Sequence, residues 1–294
     1  METPLIPPPA ALAHDEPPEQ APPPAGSAGW SPWLAPAALV GGIVLAAVGG
    51  LIVDIPAALL GANVNASKLP AGLSIADTAV QDAAFVIVAV FLAQLGGRRA
   101  SAALFGLRPT PLRRAIGLVL LTVVAFLVFS LIWGAVFDVK EEKLLETLGA
   151  NESTLLLVLS ATLTCVIAPI GEEFLFRGFI FTALRNWRGV WTAAAITGAL
   201  FGLVHVGSAP ALDLVPLAGL GFALCLLYRA TGSLYPCIAA HAMNNSLAFG
   251  SLEKWSWWQI PILMIASLLV LALLALALTR AGVTSREPAP ASAR

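Results

Sequence analysis

The chain has 294 residues, of which 58% are hydrophobic and 11% charged, with a formal net charge of −1 and a mean hydropathy of +0.86. A soluble domain is roughly 45–50% apolar and about 25% charged, so this composition excludes an ordinary water-soluble globule and implies an integral membrane protein. A charge so near zero argues against a nucleic-acid partner.

Residues 1–33 carry ten of the 22 prolines and no lysine or arginine, and they contain no apolar run long enough for a signal-peptide core. They read as a disordered Pro-rich tail, the alternative being that the Pro-Pro-Pro runs dock into a partner's aromatic groove. A bilayer core about 30 Å thick needs roughly 20 apolar helical residues at 1.5 Å each. Eight stretches qualify, near 34–60, 76–96, 115–137, 154–184, 190–208, 211–228, 234–251 and 257–279. The expected fold is an all-α, polytopic membrane protein with about eight transmembrane helices. Pro56 is a candidate break near the end of the first, and the third carries no charge from Ala115 to Phe137. Cys165, Cys225 and Cys237 lie in apolar surroundings and read as packing residues.

The basic residues sort by side. Arg98, Arg99, Arg108, Arg113 and Arg114 fill the second loop, Arg185 and Arg188 the fourth and Arg229 the sixth, while Arg280, Arg286 and Arg294 close the chain. All eleven fall on one side, whereas the other has only Lys68, Lys140, Lys143 and Lys254 among eight acidic residues. The arginine-rich side is expected to be cytoplasmic, which puts both termini there.

Arg177 fits no loop. It lies inside the fourth span with Glu172 and Glu173, in "PIGEEFLFRGFIF". A charge near the centre of a spanning helix costs about 2.5–3.5 kcal/mol on insertion scales, so such residues generally face a protein interior and carry function. Glu173 and Arg177 are four apart and can pair, whereas Glu172 points about 100° away and is left for chemistry. The structural alternative is an ion pair that locks two helices. His205, in "FGLVHVG", and His241 with Asn245, in "HAMNN", are also intramembrane. Counting at 1.5 Å per residue puts Glu172 about 20 Å, His205 about 22 Å and His241 with Asn245 about 10–16 Å from the cytoplasmic ends. These overlapping depths predict one cavity open to the cytoplasm. A carboxylate and an imidazole can deprotonate water, directly or through Zn²⁺, and an Asn amide with a second imidazole can hold the oxyanion of amide hydrolysis. If a metal is bound, its expected ligands are Glu172, His205 and His241; the cofactor is otherwise undefined. HExxH and G-x-S-x-G patterns are absent, which disfavours a zincin helix and a serine elbow.

"EEFLFR" (Glu172–Arg177), "FGLVH" (Phe201–His205) and "HAMNN" (His241–Asn245) resemble, in order, the EExxxR, FxxxH and HxxxN elements of the CPBP intramembrane proteases, the family of Rce1-type CAAX prenyl endopeptidases and bacteriocin-processing enzymes. The resemblance covers about residues 155–250. It implies that Glu172 and His205 activate water, that His241 and Asn245 stabilise the oxyanion, and that Glu173 with Arg177 orients them. It also implies peptide-bond cleavage in membrane-associated proteins or peptides, including lipid-modified ones of the CAAX type, with the bilayer as the other partner. The chain then divides into a tail (1–33), N-terminal transmembrane helices and loops (34–153), a core bearing the motifs (154–251), and a last helix with a cytoplasmic tail (252–294). Two other classes fit buried Glu, His and Arg. One is a non-catalytic membrane scaffold or immunity protein that keeps the site as a pocket. The other is a proton-coupled transporter, which needs polar residues spread across the bilayer.

Overall fold

The structure is a computed structural model that describes residues 29–64, 69–95, 100–137 and 144–284. Most of the expected tail, Lys68, Arg98, Arg99, the charged stretch 138–143, Arg286 and Arg294 lie outside the described residues. The protein is all-α, with no strand among those residues. We label the helices α1 (Leu34–Leu59), α2 (Ala71–Leu95), α3 (Leu112–Val136), α4 (Thr154–Leu203), α5 (Leu214–Thr231), α6 (Leu234–Leu252) and α7 (Gln259–Arg280).

Two features reconcile seven labels with eight crossings. At Gly189 the backbone turns left-handed (φ 76°, ψ 175°), a conformation that only glycine adopts freely, so α4 divides into limbs 154–188 and 190–203. By contrast, α6 carries His241, Asn244 and Asn245 within 19 residues and falls below the hydropathy of the other six long stretches. Its polar residues His241, Asn244 and Asn245 are buried or half-buried among neighbouring helices. Helix α1 continues through Pro56 to Leu59, so the expected break there does not occur.

Lipid takes the place of water around the outer helices. Only Val119 and Val123 of α3 and Ser267 of α7 are buried, while Leu120, Leu121, Leu131, Ile262, Leu269 and Leu273 are exposed. Such contiguous apolar faces suit hydrocarbon, where every backbone group is satisfied within its own helix. Small residues bring the inner helices together. A Cβ on Gly198 would lie 2.7 Å from Ala218 O and 2.8 Å from Phe222 N, so the second limb of α4 meets α5 backbone to backbone.

The first limb of α4 forms the core. Two of its stretches, Leu163–Ile167 and Phe174–Phe181, are wound as π-turns. Pro169 accounts for the first: its ring clashes with a carbonyl one turn back and it has no N–H to donate, so the turn widens. Every side chain from Phe174 to Phe181 is buried. Trp30 packs on Phe179 and Phe105 at ring-centroid distances of 4.6 and 5.3 Å, and Phe105 stacks on Phe174 at 4.2 Å. These rings seal the interior on the side that holds Arg108, Arg185 and Arg229.

Candidate active site

A buried ion pair organises the centre. Arg177 and Glu173 are fully buried, and Arg177 Nη1 donates to Glu173 Oε1 at 2.8 Å. The remaining guanidinium is held by a hydrogen bond from Nη2 to Gly221 O at 3.0 Å and by the Phe201 ring, 4.6 Å from Cζ to centroid. That carbonyl can be reached because Gly221 packs directly against Gly198, with a Cβ there only 2.9 Å from Gly198 Cα.

Glu173 Oε1 also accepts from His241 Nδ1 at 2.8 Å. A carboxylate can only accept, so Nδ1 carries the proton and Nε2 points the other way. Nε2 lies 3.8 Å from Glu172 Oε2, an oxygen with no hydrogen-bond partner among the described residues. The gap is too long for a direct hydrogen bond. Glu172, 12% exposed, is the more open of the adjacent carboxylates.

Asn245 is fixed by the π-turn. Ala168 N–H donates to Leu163 O and not to Thr164 O, and Pro169 has no N–H, so the helix leaves Thr164 O without a donor. Asn245 Nδ2 fills that place at 2.9 Å, and the amide keeps a second N–H. Its Oδ1 accepts from Asn244 Nδ2 at 3.3 Å.

His205 departs from expectation. The fifth span was expected to run to residue 208, but the helix ends at Leu203 and His205 stands in the following turn, where Ser208 N–H and Ala209 N–H both donate to its carbonyl. Its Nδ1 donates to Phe201 O at 2.7 Å, which leaves Nε2 as an acceptor. Pro210 and the adjoining helical turn Ala211–Asp213 close the segment, a stop that apolar composition alone conceals.

Glu172, His205, His241 and Asn245 border one cavity of about 740 Å³. Its walls include residues that the sequence reading missed: Thr78 and Gln81 of α2, Ser130 and Trp133 of α3, and Asn244 of α6. Asn244 was visible as the first Asn of "MNN"; the α2 and α3 residues carry no local signal and come in only through packing. Near Glu172 lies Asp82, 2% exposed, with neither carboxyl oxygen partnered among the described residues. It sits there because Gly171 lets α2 approach: a Cβ on that glycine would be 3.0 Å from Asp82 O.

The cavity reaches toward one end of the helices. Its rim is Gly134 at the end of α3, Leu148 before α4, Val206 and Ser208 after α4, and Ser251 at the end of α6. All lie at the helix ends remote from Arg108, Arg185, Arg188 and Arg229.

The expected metal ligands do not fit as a set: among the described residues no three His, Cys, Asp or Glu side chains are grouped to hold an ion. His241 and His205 each use Nδ1 in a hydrogen bond and keep Nε2 free, an arrangement that does not itself bar a metal.

Comparison with known proteins agrees with the motif resemblance. Residues 154–247 match the family model of type II CAAX prenyl endopeptidase Rce1-like proteins. YdiL of Bacillus subtilis (strain 168), a protein named as an inferred membrane peptidase, is 35% identical over 81 residues, which cover 28% of this chain and 32% of YdiL. The chain thus spans about a third of the length of that curated relative. No solved structure matches significantly.

Proposed function

We propose that the chain is an intramembrane endopeptidase that hydrolyses a peptide bond with water activated by Glu172. The observation that carries this reading is the unpartnered Glu172 Oε2 facing His241 Nε2 at 3.8 Å, within a cavity large enough for an extended segment of a few residues. Amide hydrolysis needs a base beside a water, a donor for the oxyanion, and a proton returned to the leaving nitrogen. Glu172 takes a proton from the water as the new C–O bond forms. The acceptor nitrogen of His205 assists by holding the water's second hydrogen. The free N–H of Asn245 donates to the oxyanion, and His241 closes the same pocket. As the C–N bond breaks, Glu172 passes its proton to the leaving amine. Glu173 and Arg177 act indirectly by holding the tautomer and angle of His241. No step runs through a metal ion.

The match to Rce1-like proteins and the likeness to YdiL support peptidase chemistry. The sealed aromatic layer at the arginine-rich end weighs against a transport path. The test is cleavage of a transmembrane reporter protein by the purified full chain in detergent. Glu172→Ala is expected to abolish it while the variant elutes and melts as the parent does. Cleavage unchanged by Glu172→Ala would overturn the proposal.

A further inference from the structure

We infer that the catalytic cavity is entered from the non-cytoplasmic side of the membrane, so that its substrates are segments displayed there. This rests on the peptidase reading for the word substrate but not for the direction of access. Two independent observations carry it.

The first is where the cavity closes. Its floor is the His241 and Glu172 level, below which the π-wound stretch Phe174–Phe181 is wholly buried and packed by Trp30 and Phe105. No lining residue comes from the loops beyond that layer. The opposite end is open, with Gly134, Val206, Ser208 and Ser251 exposed along the rim.

The second is charge. Among the described residues the sealed end carries Arg108, Arg113, Arg114, Arg185, Arg188, Arg229 and Arg280, with no acidic residue in its loops. The open end carries Glu146, Glu152, Asp213 and Glu253 with Lys254 as its one cation. Short loops rich in arginine are retained in the cytoplasm, and the bias here is strong and unidirectional. The two ends are fixed by contacts: Arg108 O accepts from Ser233 Oγ at 2.6 Å on the sealed side, while Trp133 Nε1 donates to Leu212 O at 3.0 Å on the open side.

The cavity wall adds a preference. It holds the carboxyls of Glu172 and Asp213 and no lysine or arginine among its described residues. A chain terminus bearing a free carboxylate finds no cation there, so the site suits an internal, neutral or basic segment.

Access is tested without reference to catalysis. Single substitutions Ser208→Cys and Ser251→Cys at the rim and Arg188→Cys at the sealed end are made in the full chain, whose Cys165, Cys225 and Cys237 are buried. Intact cells are treated with a membrane-impermeant maleimide before and after permeabilisation. The expected result is labelling of both rim cysteines in intact cells, and of Arg188→Cys only after permeabilisation. The reverse pattern, or equal labelling of both ends in intact cells, would overturn the inference whatever the peptidase assay gives. With a reporter substrate in the same cells, a bulky maleimide on Ser208→Cys is expected to block cleavage from outside; full labelling with undiminished cleavage would also overturn it.

Discussion

Replacing Arg177 by Met isolates the ion pair on which the site's geometry depends. The guanidinium is fully buried and makes three interactions: 2.8 Å to Glu173 Oε1, 3.0 Å to Gly221 O, and the face of Phe201. Methionine fills much of the same space but leaves the Glu173 carboxylate buried with only His241 beside it. Removing one partner of a buried pair costs about 3–5 kcal/mol, because the survivor stays desolvated and uncompensated. Replacing both partners by neutral groups of similar shape is far milder, since Gln at 173 can still accept from His241 Nδ1. The Glu173→Gln/Arg177→Met double variant should therefore be more stable than Arg177→Met alone, with a coupling of roughly 1–3 kcal/mol. Reversible unfolding of the purified chain and its three variants in mixed micelles measures this cycle. A loss below about 1 kcal/mol for Arg177→Met, or strict additivity, would refute the argument.

Other substitutions test separate links. Asn245→Ala removes the donor to Thr164 O and the proposed oxyanion donor together, so we expect turnover to fall about 10²–10³-fold, with about 1–3 kcal/mol lost in stability, by rate and melting measurements. Pro169→Ala returns an N–H to α4 and lets the turn tighten; cleavage should fall although no polar side chain of the site is changed, and a fully active variant would break the link between π-turn and Asn245. Gly198→Ala places a methyl 2.7 Å from Ala218 O, so α4 and α5 must separate; a loss of about 1–3 kcal/mol is expected, accompanied by weaker activity because Gly221 O shifts from Arg177.

Much of this was readable from residue order. The all-α membrane architecture and six of the long stretches follow from apolar runs, since bilayer thickness fixes a helix length that composition reports directly. The Glu173–Arg177 pair follows from spacing, and the three motifs pointed to the residues that border the cavity. What was hidden has a common cause. Periodicity assumes a regular helix, so neither π-turn could be seen, nor could the Thr164 carbonyl that places Asn245. The early stop at Leu203 depends on Pro210 and on how the next helix packs. The contributions of Gln81, Asp82 and Trp133 come from helices that carry no motif. The side of entry is a property of where rings and loops meet, which no single span encodes.

The most direct measurement compares the peptide ends of membrane proteins in cells expressing the full chain or its Glu172→Gln variant at matched levels. Glu172→Gln preserves shape but cannot accept the water's proton. The account predicts a set of ends, lying in segments on the non-cytoplasmic side, that is present with the parent chain and lost with the variant. Identical ends in both, with the variant folded and membrane-inserted, would contradict it.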